Sequence, residues 1–271
     1  MQCETDKATI DYEEHGEGRP ILLLHGWTMD RRVEIFDYEK IFATCPGWRR
    51  IYPDLPGMGR SVAKDGLFNQ DDVLEALLAF VDRVLPGRFA LGGTSLGAYL
   101  ARAIAARRRS RIAGLLLRVP CIFAEDARRT LPPFQALVAA PDDRADLGGL
   151  LIQTPAYAQA VKHKDDAVVQ PAIQATAPIA NEIRADPGRY GFSFDLVEAE
   201  KTFEGPTLII AGRRDTTVGY RDAWSILDSY PRATFVALDR ADHGWPMETP
   251  NLLPALIDDW LARMALAERR E

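Results

Sequence analysis

Short, unbroken apolar runs recur along this chain, and most of them end in glycine, proline or a polar turn. Ile21 to Leu24 closes on His25, Gly26 and Trp27. Ile51 and Tyr52 precede Pro53 and Asp54, Phe89 to Leu91 precede Gly92, and Ile112 to Val119, Thr207 to Ala211 and Thr234 to Leu238 repeat the pattern. A run without polar alternation suits a strand covered on both faces by helices. Between the runs lie helical patterns such as Val73, Leu74, Leu77, Leu78, Val81 and Val84, spaced three and four residues apart on one face. Strands alternating with helices predict an α/β fold, a mostly parallel central sheet flanked by helices. Ala8 to Glu14 differs, alternating apolar with polar residues, and reads as a half-exposed edge strand.

From about residue 120 to 200 the alternation stops. Short amphipathic pieces are divided there by Pro132, Pro133, Pro141, Pro155, Pro171, Pro178 and Pro187, and no strand pattern is present. A piece of roughly 80 residues is too long for a structureless loop, so a helical cap inserted over one edge of the sheet is expected. Residues 1–119 and 201–271 would then form the core and 120–200 the cap or lid. The final helix opens near Thr249 or Asn251 and carries the stripe Leu252, Leu253, Leu256, Ile257, Trp260 and Leu261.

Gly93-Thr94-Ser95-Leu96-Gly97 spells G-x-S-x-G between the run at Phe89 to Leu91 and a helix over about Leu96 to Arg107. Such a turn lifts its serine out of the sheet under backbone strain, with two glycines approaching where side chains would clash. A helix-capping serine is the plainer alternative, and the strand-to-helix setting decides against it. A serine hydroxyl needs a base within hydrogen-bond reach. Of four histidines, His15 lies in a polar turn, His163 among charges and His25 inside the His-Gly-Trp run, where it holds the loop. His243 follows the strand at Thr234 to Leu238, at the carboxyl edge where ligands bind. Asp215 follows the strand at Thr207 to Ala211 and projects at the same edge, as the acid that orients the base; Asp242, next to His243, is a weaker rival. Two amides must face the developing oxyanion: Leu96, just after the nucleophile, and Trp27 in the loop after the first buried strand.

These four ordered motifs resemble the α/β-hydrolase superfamily, in the serine hydrolase branch with a helical cap domain. His25-Gly26-Trp27 is similar to its oxyanion loop, Pro53 to Ser61 to its D-x-x-G-x-G-x-S turn with Met58 in place of a frequent histidine, and Gly93 to Gly97 to its nucleophile elbow. Asp215 and His243 match the late acid and base. The resemblance implies a Ser-His-Asp triad that cleaves an ester or related acyl bond through an acyl-enzyme, with no metal or organic cofactor. A serine nucleophile sets the chain apart from members that attack with aspartate. C–C bond hydrolases and cofactor-free lyases or synthases use the same triad, but Gly244 and then Trp245 follow the histidine where C–C hydrolases carry tryptophan at once, and Ala98 and Tyr99 stand where menaquinone-pathway synthases carry arginine. A low-turnover ligand-binding receptor, or a scaffold acting through its surface, is the alternative of another class; all three catalytic positions are filled, which favours an enzyme.

The expected substrate is small and largely apolar. The cap offers Phe123, Phe134, Tyr157, Tyr190, Phe192 and Phe194 to a pocket that Trp27 and Trp245 also line, although half or more of these aromatics are expected in the cap's own core. Arg31 and Arg32, after the oxyanion loop, either meet a substrate carboxylate or sit on an exposed helix. The formal charge of −6 brings no basic stripe for nucleic acid, and Arg107, Arg108, Arg109 and Arg111 read as a solvated helix end. Cys3, Cys45 and Cys121 show neither disulfide nor zinc spacing, and no basic leader or membrane-length apolar stretch is seen. The expectation is a cytoplasmic monomer or homodimer with no membrane and no nucleic-acid partner.

Overall fold

The computed structural model describes residues 1–133, 155–239, 241–244 and 251–268, the side chains of 155–158 and 268 excepted. A nine-stranded sheet forms the centre of the described residues. Its strands are β1 (Gln2–Glu4), β2 (Ala8–His15), β3 (Arg19–Leu24), β4 (Trp48–Pro53), β5 (Val62–Ala63), β6 (Phe89–Thr94), β7 (Ile112–Arg118), β8 (Thr207–Gly212) and β9 (Ala233–Leu238). They run in the order β1-β2-β4-β3-β6-β7-β8-β9, with β5 beside β2. From β4 through β9 every pairing is parallel, and β2 joins β4 antiparallel. The α/β expectation holds.

One expected strand position is corrected. β2 is not an edge: β1 pairs along it at Cys3↔Ile10, and β5 at Ala8↔Ala63. Strands of two and three residues are too short to show a two-residue period. They nevertheless cover β2 and leave a short edge.

The unbroken runs divide between two cores because successive side chains leave a strand on opposite faces. Leu22 and Leu24 of β3 pack with Leu74 and Leu77 of α2 (Gln70–Val84) and Ile104 of α3 (Leu96–Arg107). Ile21 and Leu23 pack on the other face with Tyr38 of α1 (Arg31–Phe42) and with Ile257 and Trp260 of α10 (Leu252–Glu268). Helix starts are chemically set: Asp30 caps α1, and Asn69 with Asp72 forms a reciprocal capping box on α2. Trp260 is fully buried and donates its indole N–H to the Pro206 carbonyl at 3.0 Å, fastening α10 at the start of β8.

Between β7 and β8 the described residues hold helices and no strand. These are α4 (Pro155–Lys164), a π-helical turn over Asp165–Val169, α5 (Gln170–Gln174), α6 (Pro178–Ala185), α7 (Pro187–Tyr190) and α8 (Leu196–Glu200); α9 (Arg221–Ser225) follows between β8 and β9. The arginine-rich end of α3 is less solvated than expected. Arg108 and Arg111 both pair with Asp82 at 2.6 Å, and Arg109 donates to the carbonyls of Glu200 and Thr202. No described helix is long and apolar enough to cross a membrane.

Candidate active site

The turn from β6 into α3 carries Ser95 at φ 55° and ψ −113°, a backbone region that side chains rarely occupy. Two close approaches explain how the strain persists. A Cβ on Gly93 would lie 2.2 Å from the Gly97 carbonyl oxygen, and one on Gly97 would lie 2.1 Å from that of Leu24. Only glycine allows these backbones to meet, and meeting fixes the turn. Ser95 then donates its amide to Arg118 O at 3.0 Å and accepts at its carbonyl from Ala98 and Tyr99 at 3.1 Å.

His243 and Asp215 reach the serine from the loops after β9 and β8. His243 Nδ1 lies 2.9 Å from Asp215 Oδ2, and Nε2 lies 3.0 Å from Ser95 Oγ. An ionised carboxylate can only accept, so Nδ1 carries the hydrogen and Nε2 is left to accept from the serine hydroxyl. Asp215 is 1% exposed, and its other oxygen accepts from the amides of Thr217 at 2.8 Å and Val218 at 2.9 Å. Burial alone would raise this carboxyl; the His243 imidazole and the two amides outweigh burial and hold it below the ordinary carboxylate range. Asp242 turns back instead, accepting from the Gly244 amide at 2.8 Å.

Gly26 backs onto Ser95, and a Cβ there would touch Ser95 Cβ at 3.4 Å. Leu96 stands at the first turn of α3, where amides have no helical acceptor, and Trp27 lies beside Ser95 in the same cavity. Behind them His25 is fully buried, donating from Nδ1 to Gly26 O at 2.7 Å and accepting at Nε2 from the Leu55 amide at 2.8 Å. Burial lowers its proton affinity, and both ring nitrogens are engaged away from Ser95.

Ser95 and His243 open on a cavity of about 390 Å³. Its apolar wall is aliphatic rather than aromatic: Met29, Val33, Val161, Val169 and Val218. Of the aromatics expected there, Trp27 and Tyr190 line it. Phe123 does not; it borders a separate cleft with Phe192 and Phe194. The reason is stacking: Tyr99 of α3 stacks on Phe192 at 4.5 Å and Phe192 on Phe194 at 4.9 Å, which gathers these rings at the separate cleft, while Arg128 covers Phe123. Phe134 and Trp245 lie outside the described residues, as does the side chain of Tyr157.

Both readings of Arg31 are corrected as well. It is buried at 6% exposure and is bound by Asp54 at 2.5 Å, Asp11 at 2.8 Å and Glu13 at 3.3 Å. Arg32 is held by its own helix cap, Asp30, at 2.5 Å. Neither lines the Ser95 cavity. Asp54 belongs to the turn between β4 and β5, so Arg31 ties the start of α1 to that turn.

The cavity also holds residues that the sequence reading passed over: Glu34, Thr94, Arg118 and Lys164. A signal existed in α1, where Glu34, Asp37, Tyr38 and Ile41 share one buried face and two acids therefore occupy apolar positions.

Residues 21–253 match the model of the alpha/beta hydrolase family, and the chain belongs to that family. It is a hydrolase. Among its relatives is the pimeloyl-[acyl-carrier protein] methyl ester esterase of Aeromonas salmonicida, 27% identical over 245 residues, which cover 87% of this chain and 92% of that one. The AB hydrolase superfamily protein YisY of Bacillus subtilis is 22% identical over 93% of this chain and 95% of its own length. In fold, the chain is similar to an alpha/beta superfamily hydrolase from Oenococcus oeni, with a TM-score of 0.80, 24% identity and coverage of 98% and 99% of the two chains. A thermophilic esterase from Thermogutta terrifontis matches with a TM-score of 0.73 and 24% identity over 97% of this chain and 99% of its own.

Proposed function

We propose that this hydrolase is a serine esterase acting on small carboxylic esters through Ser95, His243 and Asp215. His243 Nε2 takes the Ser95 proton as Oγ attacks the ester carbonyl, and the amides of Leu96 and Trp27 hold the resulting oxyanion. Collapse expels the alcohol, which receives the proton from His243. Water, deprotonated by the same nitrogen, then releases the acid. Asp215 keeps the imidazole in the required tautomer and balances its transient charge. The segment 120–200 acts as the cap over this chemistry, and no metal or organic cofactor has a part in it.

The observation that carries the reading is the relay at 3.0 and 2.9 Å, opening on a cavity of a size suited to a small molecule. The esterase relatives favour an ester over a C–C bond, and a methyl ester of a pimeloyl chain is a sensible first compound, since the name of the Aeromonas salmonicida relative specifies a pimeloyl-[acyl-carrier protein] methyl ester. The test is an ester, thioester and lactone panel run beside Ser95→Ala, with fluorophosphonate labelling of both proteins. Rapid labelling and ester turnover that vanish together in Ser95→Ala are expected. Labelling that is absent from the unaltered protein, or turnover that survives Ser95→Ala, refutes the assignment.

A further inference from the structure

We infer that Glu34 and Thr94 form a hydrogen-bonding subsite in the Ser95 cavity, one that takes a neutral hydroxyl carried by the substrate on an arm leading away from the scissile carbonyl. The inference rests on the esterase reading and adds a substrate class to it.

Glu34 is 1% exposed, and among the described residues neither of its carboxyl oxygens has a hydrogen-bond partner. The hydroxyl of Thr94 is unpartnered too. It lies near enough to favour the charged form of Glu34, yet outside hydrogen-bonding geometry. Buried polar groups are normally satisfied, and three unsatisfied oxygens on two residues that border the Ser95 cavity call for a partner that satisfies them. Thr94 is the residue before Ser95, at the end of β6, so the subsite sits at the sheet side of the reacting centre.

The surroundings select the chemistry. Asp37 is flanked by Arg118 and Lys164, each 2.7 Å from Asp37 Oδ2. Burial works against its charge, and the two cations prevail and keep it ionised. Burial lowers the proton affinity of Lys164 and Asp37 opposes this, so the charge around Asp37 changes with the protonation of Lys164 and of Glu34. Burial pushes Glu34 toward the neutral form, and the Arg118 charge opposes this. A charged ligand fits one of these states and conflicts with the other. A hydroxyl fits both, because it donates to the carboxylate or accepts from the protonated acid while exchanging a second bond with Thr94.

The test compares kcat/KM for p-nitrophenyl esters in matched pairs, ω-hydroxyacyl against the methyl-terminated chain of equal length, from propanoyl to octanoyl. Acetates of matching diols and simple alcohols probe the other arm, and ω-carboxyl esters probe charge. At the best length in one series the hydroxyl member is expected to exceed its partner by about tenfold or more, because a site built around a hydroxyl is left unsatisfied by its isostere. In Glu34→Met that ratio falls close to one; Glu34→Gln, similar in shape and still hydrogen-bonding, gives an intermediate ratio and serves if the Met variant does not fold. Ratios near one at every length in both series overturn the subsite, as does a ratio unchanged in the variants or a preference for carboxyl over hydroxyl. Turnover without discrimination removes the subsite alone; no turnover on any ester, with no fluorophosphonate labelling, removes the esterase reading and the subsite with it.

Discussion

Glu200→Leu should be among the most damaging single changes outside the active site, and its cost follows from what it leaves behind. Arg102 projects from α3 with 0% of its side chain exposed. Its Nε and Nη2 reach the Glu200 carboxylate at 2.5 and 3.0 Å, and Tyr230 donates its hydroxyl to the same carboxylate at 2.5 Å. The pair thereby joins α3 to the end of α8 and to the residues leading into β9. Removing Glu200 strands a buried guanidinium, a change that costs about 3–5 kcal/mol. At an unfolding entropy of about 2.1 cal/mol/K per residue, a chain of this length loses roughly 5–9 °C in melting temperature for that cost. Replacing all three groups with apolar ones, as Arg102→Met, Glu200→Leu and Tyr230→Phe together, removes the stranded charge and the orphaned hydroxyl and should recover most of the loss. Thermal unfolding followed by circular dichroism measures both proteins. A drop below about 2 °C in the single variant, or a triple variant no more stable than the single one, refutes the account.

Other perturbations separate the roles assigned above. Gly97→Ala places a Cβ 2.1 Å from Leu24 O and 2.6 Å from His25 O, both backbone atoms that cannot yield cheaply; a loss of at least about 3 kcal/mol in urea unfolding is expected, together with loss of esterase activity. Asp215→Asn should lower kcat by roughly ten-thousand-fold, since an amide no longer enforces the tautomer. The folded carboxyl of Asp215 is held below its ordinary value, so its contribution to stability is present above an unfolded value of about 3.9 and is lost as pH falls through the lower folded one. Urea midpoints of the unaltered protein and Asp215→Asn should therefore converge below about pH 4. Arg31→Ala strands the buried carboxylates of Asp54 and Asp11 and should cost about 3–5 kcal/mol, measured as a urea midpoint, with no selective rise in KM for acidic esters.

The sheet and the meeting of Ser95, Asp215 and His243 were legible in the sequence for one reason. In a parallel sheet with helices on both faces, the carboxyl ends of β6, β8 and β9 share one rim, and each residue stands within a few positions of an apolar run that marks its strand. Local spelling was then enough to place side chains more than a hundred positions apart. β1 and β5 escaped because two or three residues carry no period, although both pair along β2 and β1 takes its place at the edge. Phe123 was misplaced because composition says how many rings a segment carries but not which of them find one another. Tyr99 of α3, Phe192 and Phe194 stack together and border, with Phe123, a cleft separate from the cavity.

Charge was the hardest property to read, and Arg31 and Glu34 show why. Both stand in the first turn of α1 among residues that spell an ordinary amphipathic helix start. Arg31 is taken up by carboxylates from the β2 strand and the turn after β4, so its partners lie about twenty positions away on either side and no local pattern announces them. Glu34, three residues on in the same turn, meets no such partner among the described residues and borders the cavity instead. Burial penalises both side chains, and a fold has no reason to retain an unsatisfied acid when methionine would fill the same volume without the penalty. If stability alone governed position 34, Glu34→Met should lower the melting temperature. The expected outcome is that it raises it, while the discrimination between hydroxyl and methyl esters is lost. Such a trade between stability and selectivity would separate a residue kept for a ligand from one kept for the fold, and a Glu34→Met protein that melts lower with its selectivity intact would return Glu34 to the core.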